Sequence, residues 1–150
     1  MEELAVKNEF QTTQYIVIQL GNEKYGIDIQ YVDNIVRMQR ITRVPKVAEY
    51  FKGVINLRGE VVPVMNIRIK MGLEEAKENK DTRIIILKLD GMEKIGVIVD
   101  EVREVVELSD SEVEKVAYDS REEKQQFVSA VGKVGDDLIS LLDLHTVISE

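Results

Sequence analysis

Gly21-Asn-Glu-Lys-Tyr-Gly-Ile-Asp-Ile-Gln-Tyr-Val-Asp-Asn-Ile-Val36 returns seventy positions later, without a gap, as Gly91-Met-Glu-Lys-Ile-Gly-Val-Ile-Val-Asp-Glu-Val-Arg-Glu-Val-Val106. The flanks repeat as well. Tyr15-Ile-Val-Ile-Gln-Leu20 precedes the first copy as Ile84-Ile-Ile-Leu-Lys-Leu89 precedes the second, and Val61-Val-Pro-Val-Met-Asn-Ile67 answers to Leu138-Ile-Ser-Leu-Leu-Asp-Leu144 downstream. Self-similarity on this scale sets the architecture before any local assignment. It predicts two related halves in one small protein, and two related surfaces for two partners.

Each half, about 13–71 and 82–148, has roughly 65 residues and alone would bury too little surface to be stable. The halves are therefore expected to pack on each other as one domain over residues 10–149, joined by the polar connector 72–82. Aromatic residues make up only 5% of the chain and Trp is absent, so branched aliphatics must fill the core, and these favour strands. A net charge of −8 argues against a nucleic-acid backbone as partner. The absence of cysteine excludes disulfides, thiolate catalysis and Cys-ligated zinc. The N-terminus is acidic where a signal peptide would be basic, and no apolar run approaches the length of a membrane span. A cytoplasmic protein without membrane insertion is expected.

Residues 13–20 and 25–29 read as a hairpin around Gly21-Asn22, and residues 83–89 and 95–99 as its repeat around Asp90-Gly91. Gly26 and Gly96 fall just inside the second strand of each, which signals a bulge or a close approach. Val32, Ile35 and Val36, like Val102, Val105 and Val106, are spaced i, i+3, i+4, as in a helical turn or a sharply bent strand. Ala48–Gly53 reads as one helical turn stopped by glycine. Two strands meeting at Arg58-Gly59 follow, with Pro63 predicting an edge or a bulge. Residues 107–126 form a second polar stretch, expected to be helical in part. Short strands with frequent turns predict a mainly β fold, two packed five-stranded SH3-like barrels with short helical segments. Strands exchanged between the halves are compatible with the repeat.

Catalytic chemistry finds little to use. His145 is the single histidine, so no two-histidine metal site forms, and it reads as a solvent-facing residue. No Gly-x-Ser-x-Gly elbow is present, and Asp100, Glu101 and Glu104 lack the pattern of a calcium loop. No enzyme, metal or cofactor is expected.

Gly53-Val-Ile-Asn-Leu-Arg-Gly-Glu-Val-Val-Pro-Val-Met-Asn-Ile-Arg68 resembles the signature of CheW-type chemotaxis coupling proteins. Tyr25-Gly-Ile-Asp-Ile29, Ile95-Gly-Val-Ile-Val-Asp100 and Gly135-Asp-Asp-Leu-Ile-Ser-Leu-Leu-Asp-Leu144 extend the likeness over nearly the whole chain. The resemblance implies a non-catalytic adaptor linking the cytoplasmic tips of methyl-accepting chemoreceptors to the regulatory domain of the histidine kinase CheA, within receptor arrays at the inner face of the membrane. It implies two SH3-like subdomains with a receptor-binding groove between them. Carried over position by position, the receptor-binding residues are Val32, Gly53, Arg58, Gly96, Val102 and Val105, and the kinase-facing ones Val116 and Tyr118. The valines read equally well as core. Asn34 stands where relatives often carry an acid that pairs with the motif arginine, and Asn66 replaces a common aspartate. An adaptor of the same family in another receptor–kinase pathway, such as surface motility, is the alternative. An enzyme with an unfamiliar site is a more distant one.

Overall fold

The computed structural model describes residues 11–116 and 126–149. Eleven strands run β1 (Thr12–Leu20), β2 (Glu23–Asp28), β3 (Val32–Arg37), β4 (Phe51–Leu57), β5 (Glu60–Asn66), β6 (Arg83–Leu87), β7 (Ile95–Val99), β8 (Glu101–Ser109), β9 (Val113–Lys115), β10 (Val128–Val134) and β11 (Asp137–Leu142). Two short helices, α1 (Ile67–Lys70) and α2 (Leu144–Ile148), each follow the last strand of a half. The mainly β expectation holds.

The strands are shared between the halves reciprocally. One sheet has the order β8-β1-β2-β11-β10-β9 and the other β3-β6-β7-β5-β4. The opening hairpin of each half, β1–β2 or β6–β7, is thus built into the sheet formed by the other half's later strands. The joints are parallel pairs, β11 on β2 and β5 on β7. The first sheet has six strands rather than five because the polar stretch after β8 adds the three-residue β9. Before it lies a 3₁₀ turn, Asp110–Glu112, where Ser109 and Glu112 form a capping box.

Alternation along the strands feeds three apolar clusters. Val17, Leu108, Ala130, Ile139 and Leu141 fill the curl of the six-stranded sheet, and Ile55, Val62, Val64, Ile84 and Ile86 that of the five-stranded one. The largest cluster lies between the sheets and takes Ile16, Ile18, Met65, Ile85, Leu87, Leu142 and Leu144 among others. Strand β6 supplies both sides at once, and Ile84, Ile85, Ile86 and Leu87 are all fully buried. Its unbroken apolar run is what burial on two faces requires.

Irregularities repeat with the sequence. In the β3–β6 ladder Asp33 is skipped, and seventy positions on Arg103 is skipped in the β8–β1 ladder. This bulge settles the ambiguous spacing of Val32 and Ile35 in favour of a bent strand. An extra residue turns the period-2 alternation into i, i+3, so both side chains reach the shared core. A second pair of bulges, at Phe51/Gly53 and Val128/Ala130, is also repeated, as are the hydrogen bonds Asn66 N to Tyr50 O and Asp143 N to Phe127 O, each 2.7 Å. Asn66 and Asp143 then cap the two helices, their Oδ1 atoms accepting from the N–H groups of Ile69 and Thr146.

Two local expectations are corrected. Residues 45–50 form turns rather than a helical turn, and Gly53 lies within β4, at the bulge. A Cβ there would overlap the Thr42 carbonyl, because Thr42 bridges to Val54 through two backbone hydrogen bonds of 2.8 and 2.9 Å. Pro63 lies on a strand paired on both sides. It is tolerated because the opposite residue, Val54, spends its N–H and C=O on Thr42, and pairing of β5 with β7 begins only at Val64.

Candidate docking surfaces

The β4–β5 hairpin turns through Arg58 and Gly59, both at positive φ (55° and 84°), as a two-residue hairpin loop between Leu57 and Glu60. Asn56 Oδ1 accepts from Gly59 N at 2.9 Å and stiffens the tip. Arg58 is exposed and makes no hydrogen bond or ion pair with the described residues. Asn34, the partner considered from sequence, instead accepts from the N–H of Ile35 at 2.8 Å. Lys94 lies 3.4 Å from both Asp33 and Glu60, and these two anions hold its ammonium above its ordinary pKa. Through Lys94 the starts of β3, β5 and β7 are gathered at one end of the five-stranded sheet. That end carries three of the expected residues, Val32, Arg58 and Gly96.

Val32 and Val102 are repeat twins at the two bulges, half-buried and packed on the shared core. Gly96 and its twin Gly26 are buried without any ladder irregularity. A Cβ would come within 2.8 Å of Ile84 Cγ2 at Gly96 and within 2.7 Å of Leu141 Cδ2 at Gly26. These glycines serve close packing. Val105 differs from its twin. Ile35 packs on the shared core, whereas Val105, paired with the core residue Ile16 on the edge strand β8, is 52% exposed. Cross-strand partners point to the same side of a sheet, so the shared-core face of the six-stranded sheet opens to solvent here. Val116 is half-buried beside Leu73, Val128 and Leu138, around a cleft of about 730 Å³. Tyr118 lies outside the described residues.

Sequence reading missed two features. Val61 and Leu138, the first apolar residues after the two hairpin tips and twins in the repeat, are each 65% exposed. The repeat alignment paired them, but alternation alone does not say which apolar residues remain uncovered. The other is an electrostatic clasp. Arg68 of α1 holds Asp100, between β7 and β8, by Nε–Oδ1 and Nη2–Oδ2 bonds of 2.8 and 2.5 Å. Asp100 also accepts from Gly21 N at 2.8 Å, while Arg68 Nη1 donates to the Glu74 carbonyl. Burial alone would raise the Asp100 pKa, but the Arg68 guanidinium and the Gly21 N–H outweigh it and hold the carboxyl below its usual range. The clasp ties the β1–β2 turn of one sheet to α1 and to the link between the sheets.

Among the described residues no group of three or more His, Asp or Glu side chains is placed to hold a metal ion, and no helix is long and apolar enough to cross a membrane. His145 is exposed on α2, its ring edge-on to Tyr31 at 6.2 Å.

Paired sheets over one core, with bare apolar residues at twin hairpin tips, make a module suited to binding other proteins. The sequence model of the CheW-like domain matches residues 14–150, and the chain belongs to that family. It is 33% identical over 135 residues to the chemotaxis protein CheW of Bacillus subtilis, covering 90% of this chain and 86% of that one. Against the chemotaxis protein CheW of Klebsiella aerogenes the identity is 29% over 136 residues, covering 91% and 81%. The crystal structure of the scaffolding protein TtCheW from Thermoanaerobacter tengcongensis superposes with a TM-score of 0.85 at 32% identity, covering 93% of this chain and 94% of that one.

Proposed function

We propose that this protein is a non-catalytic adaptor of chemotaxis signalling that joins the cytoplasmic tips of chemoreceptors to the regulatory domain of a CheA-type histidine kinase, at the inner face of the membrane. The family match over residues 14–150 carries the reading. Two features of the surface support it. A helical receptor tip needs apolar anchors in a groove; Val102 and the bare Val105 supply them on one sheet, and Val32 supplies one on the other. Arg58 presents an uncommitted five-donor fork to carbonyls or carboxylates at the end of the five-stranded sheet that also carries Val32. For the kinase, Val61 and Leu138 offer equivalent apolar tips on both sheets, as head-to-tail docking of related modules requires.

A pull-down with the isolated regulatory domain of the cognate kinase, run beside one with receptor-containing membranes, tests the two arms separately. Retention by both is expected. Retention by neither would remove the adaptor reading.

A further inference from the structure

At the end of the five-stranded sheet opposite Arg58 lies a groove of about 960 Å³, between the strap of residues 38–52 and the connector of residues 75–82. Met38, Ile41, Phe51 and Ile98 contribute its apolar lining. The strap is charged unlike the rest of the molecule. Residues 37–52 hold Arg37, Arg40, Arg43, Lys46 and Lys52 against Glu49 alone, a net of +4, which leaves −12 on the remaining chain.

Two cations of the groove are committed internally. Lys52 lies 2.6 Å from Glu75, tying strap to connector, and Arg68 clasps Asp100. Arg37, Arg40, Arg43 and Lys46 are exposed and form no ion pair with the described residues. Between the last two, Val44 is bare at 41%, and Val47 follows at 45%. The strap holds Lys46 at a φ of 61°, a costly conformation for a lysine.

The strap carries +4 and the remaining chain −12, so long-range attraction draws an acidic partner toward the strap although Glu49 and Glu78 also line the groove. Exposed valines beside the free cations supply the apolar anchoring that charge alone lacks. The surface is a groove with two walls, which fits a length of polypeptide better than the plane of a lipid bilayer. We propose that the groove between strap and connector docks an acidic peptide segment of a partner protein, its carboxylates on Arg43 and Lys46, which line the groove, and its apolar side chains against Val44 and Val47. The site is separate from the surfaces assigned above to receptor and kinase, and does not depend on that assignment.

Fluorescence anisotropy of the full chain with a labelled synthetic peptide, Glu-Glu-Leu-Glu-Glu-Leu-Glu-Glu, tests the proposal. Controls replace its leucines by serine or its glutamates by lysine, and vesicles containing phosphatidylserine are titrated in parallel. Saturable binding of the first peptide is expected, weakened by salt and by serine in place of leucine, and absent for the lysine peptide. The double variant Arg43→Glu/Lys46→Glu should weaken it by about tenfold or more. Val44→Ser/Val47→Ser should weaken it with the charge unchanged, and Arg43→Gln/Lys46→Gln serves if charge reversal lowers the melting temperature. No saturable binding by the wild-type chain, equal binding by folded charge variants, or binding of vesicles but not peptide would each overturn the proposal.

Discussion

Val61 and Leu138 occupy the same position of two hairpins seventy-seven residues apart, and each is 65% exposed. Their strand neighbours two positions on, Pro63 and Ser140, are half-buried, whereas the residues on the opposite faces, Val62 and Ile139, fill the curls of the two sheets. The twins therefore contribute little to the fold.

Val61→Glu and Leu138→Glu should each change stability by less than about 0.5 kcal/mol, as surface substitutions do. Calorimetric titration with the kinase regulatory domain should show at least one of them weakening binding by about tenfold or more, the loss of an apolar anchor. Wild-type affinity in both variants would remove the hairpin tips from the kinase contact.

The Arg68–Asp100 clasp predicts an acid limb in the stability profile. The folded-state pKa of Asp100 is depressed, so its stabilisation is complete above the unfolded value of about 3.9 and is lost as pH falls through the folded value. Both side chains keep some solvent contact, 15% for Arg68 and 26% for Asp100, which places the pair between exposed and buried bridges. Asp100→Asn should cost about 1–3 kcal/mol near neutral pH and flatten the acid limb. Urea melts of both proteins across acidic pH would show it, and parallel curves would contradict it.

Gly53 separates a structural role from a binding one. Its φ of 140° and the Thr42 carbonyl in the space of a Cβ leave no room for alanine. Gly53→Ala should destabilise by about 3 kcal/mol or more and abolish every binding activity together. A variant of wild-type stability that lost receptor binding alone would make Gly53 a contact residue instead.

Arg58 should behave in the opposite way. Asparagine before glycine is preferred in hairpin turns with positive φ at both residues. Arg58→Asn is therefore expected to keep or raise stability by up to about 1 kcal/mol while weakening attachment to receptor membranes. Thermal melts and membrane sedimentation of one preparation would show the two effects diverging. Intact attachment would take Arg58 out of the receptor site.

The doubled architecture was legible because the repeat extends to the turns and to Asn66 and Asp143, which cap equivalent helices. Strand exchange was not, since an internal repeat says which segments are alike and nothing about which of them pair. The spacing of Val32 and Ile35 left helical turn and bent strand open for a local reason: a bulge of one residue converts strand alternation into the helical interval. Of the two alternatives Pro63 offered, the edge fails and the β4–β5 ladder is bulged at Phe51/Gly53; that Val54 spends its hydrogen bonds on Thr42 could not be read from any strand pattern. Of the expected receptor residues, Val32, Arg58 and Gly96 gather at one sheet end, and Val105 is bare where its twin Ile35 is packed on the core. The Arg68–Asp100 clasp is not legible in either segment alone, because its members meet only when β5 and β7 pair in parallel and set Asn66 opposite Ile98.

The adaptor account is tested most directly by sedimenting receptor-containing membranes with the cognate kinase, with and without this chain. The account predicts that the kinase enters the pellet only when the chain is present, and in proportion to it until the receptors saturate. Kinase that sediments equally in its absence, or stays in solution in its presence, would contradict the account.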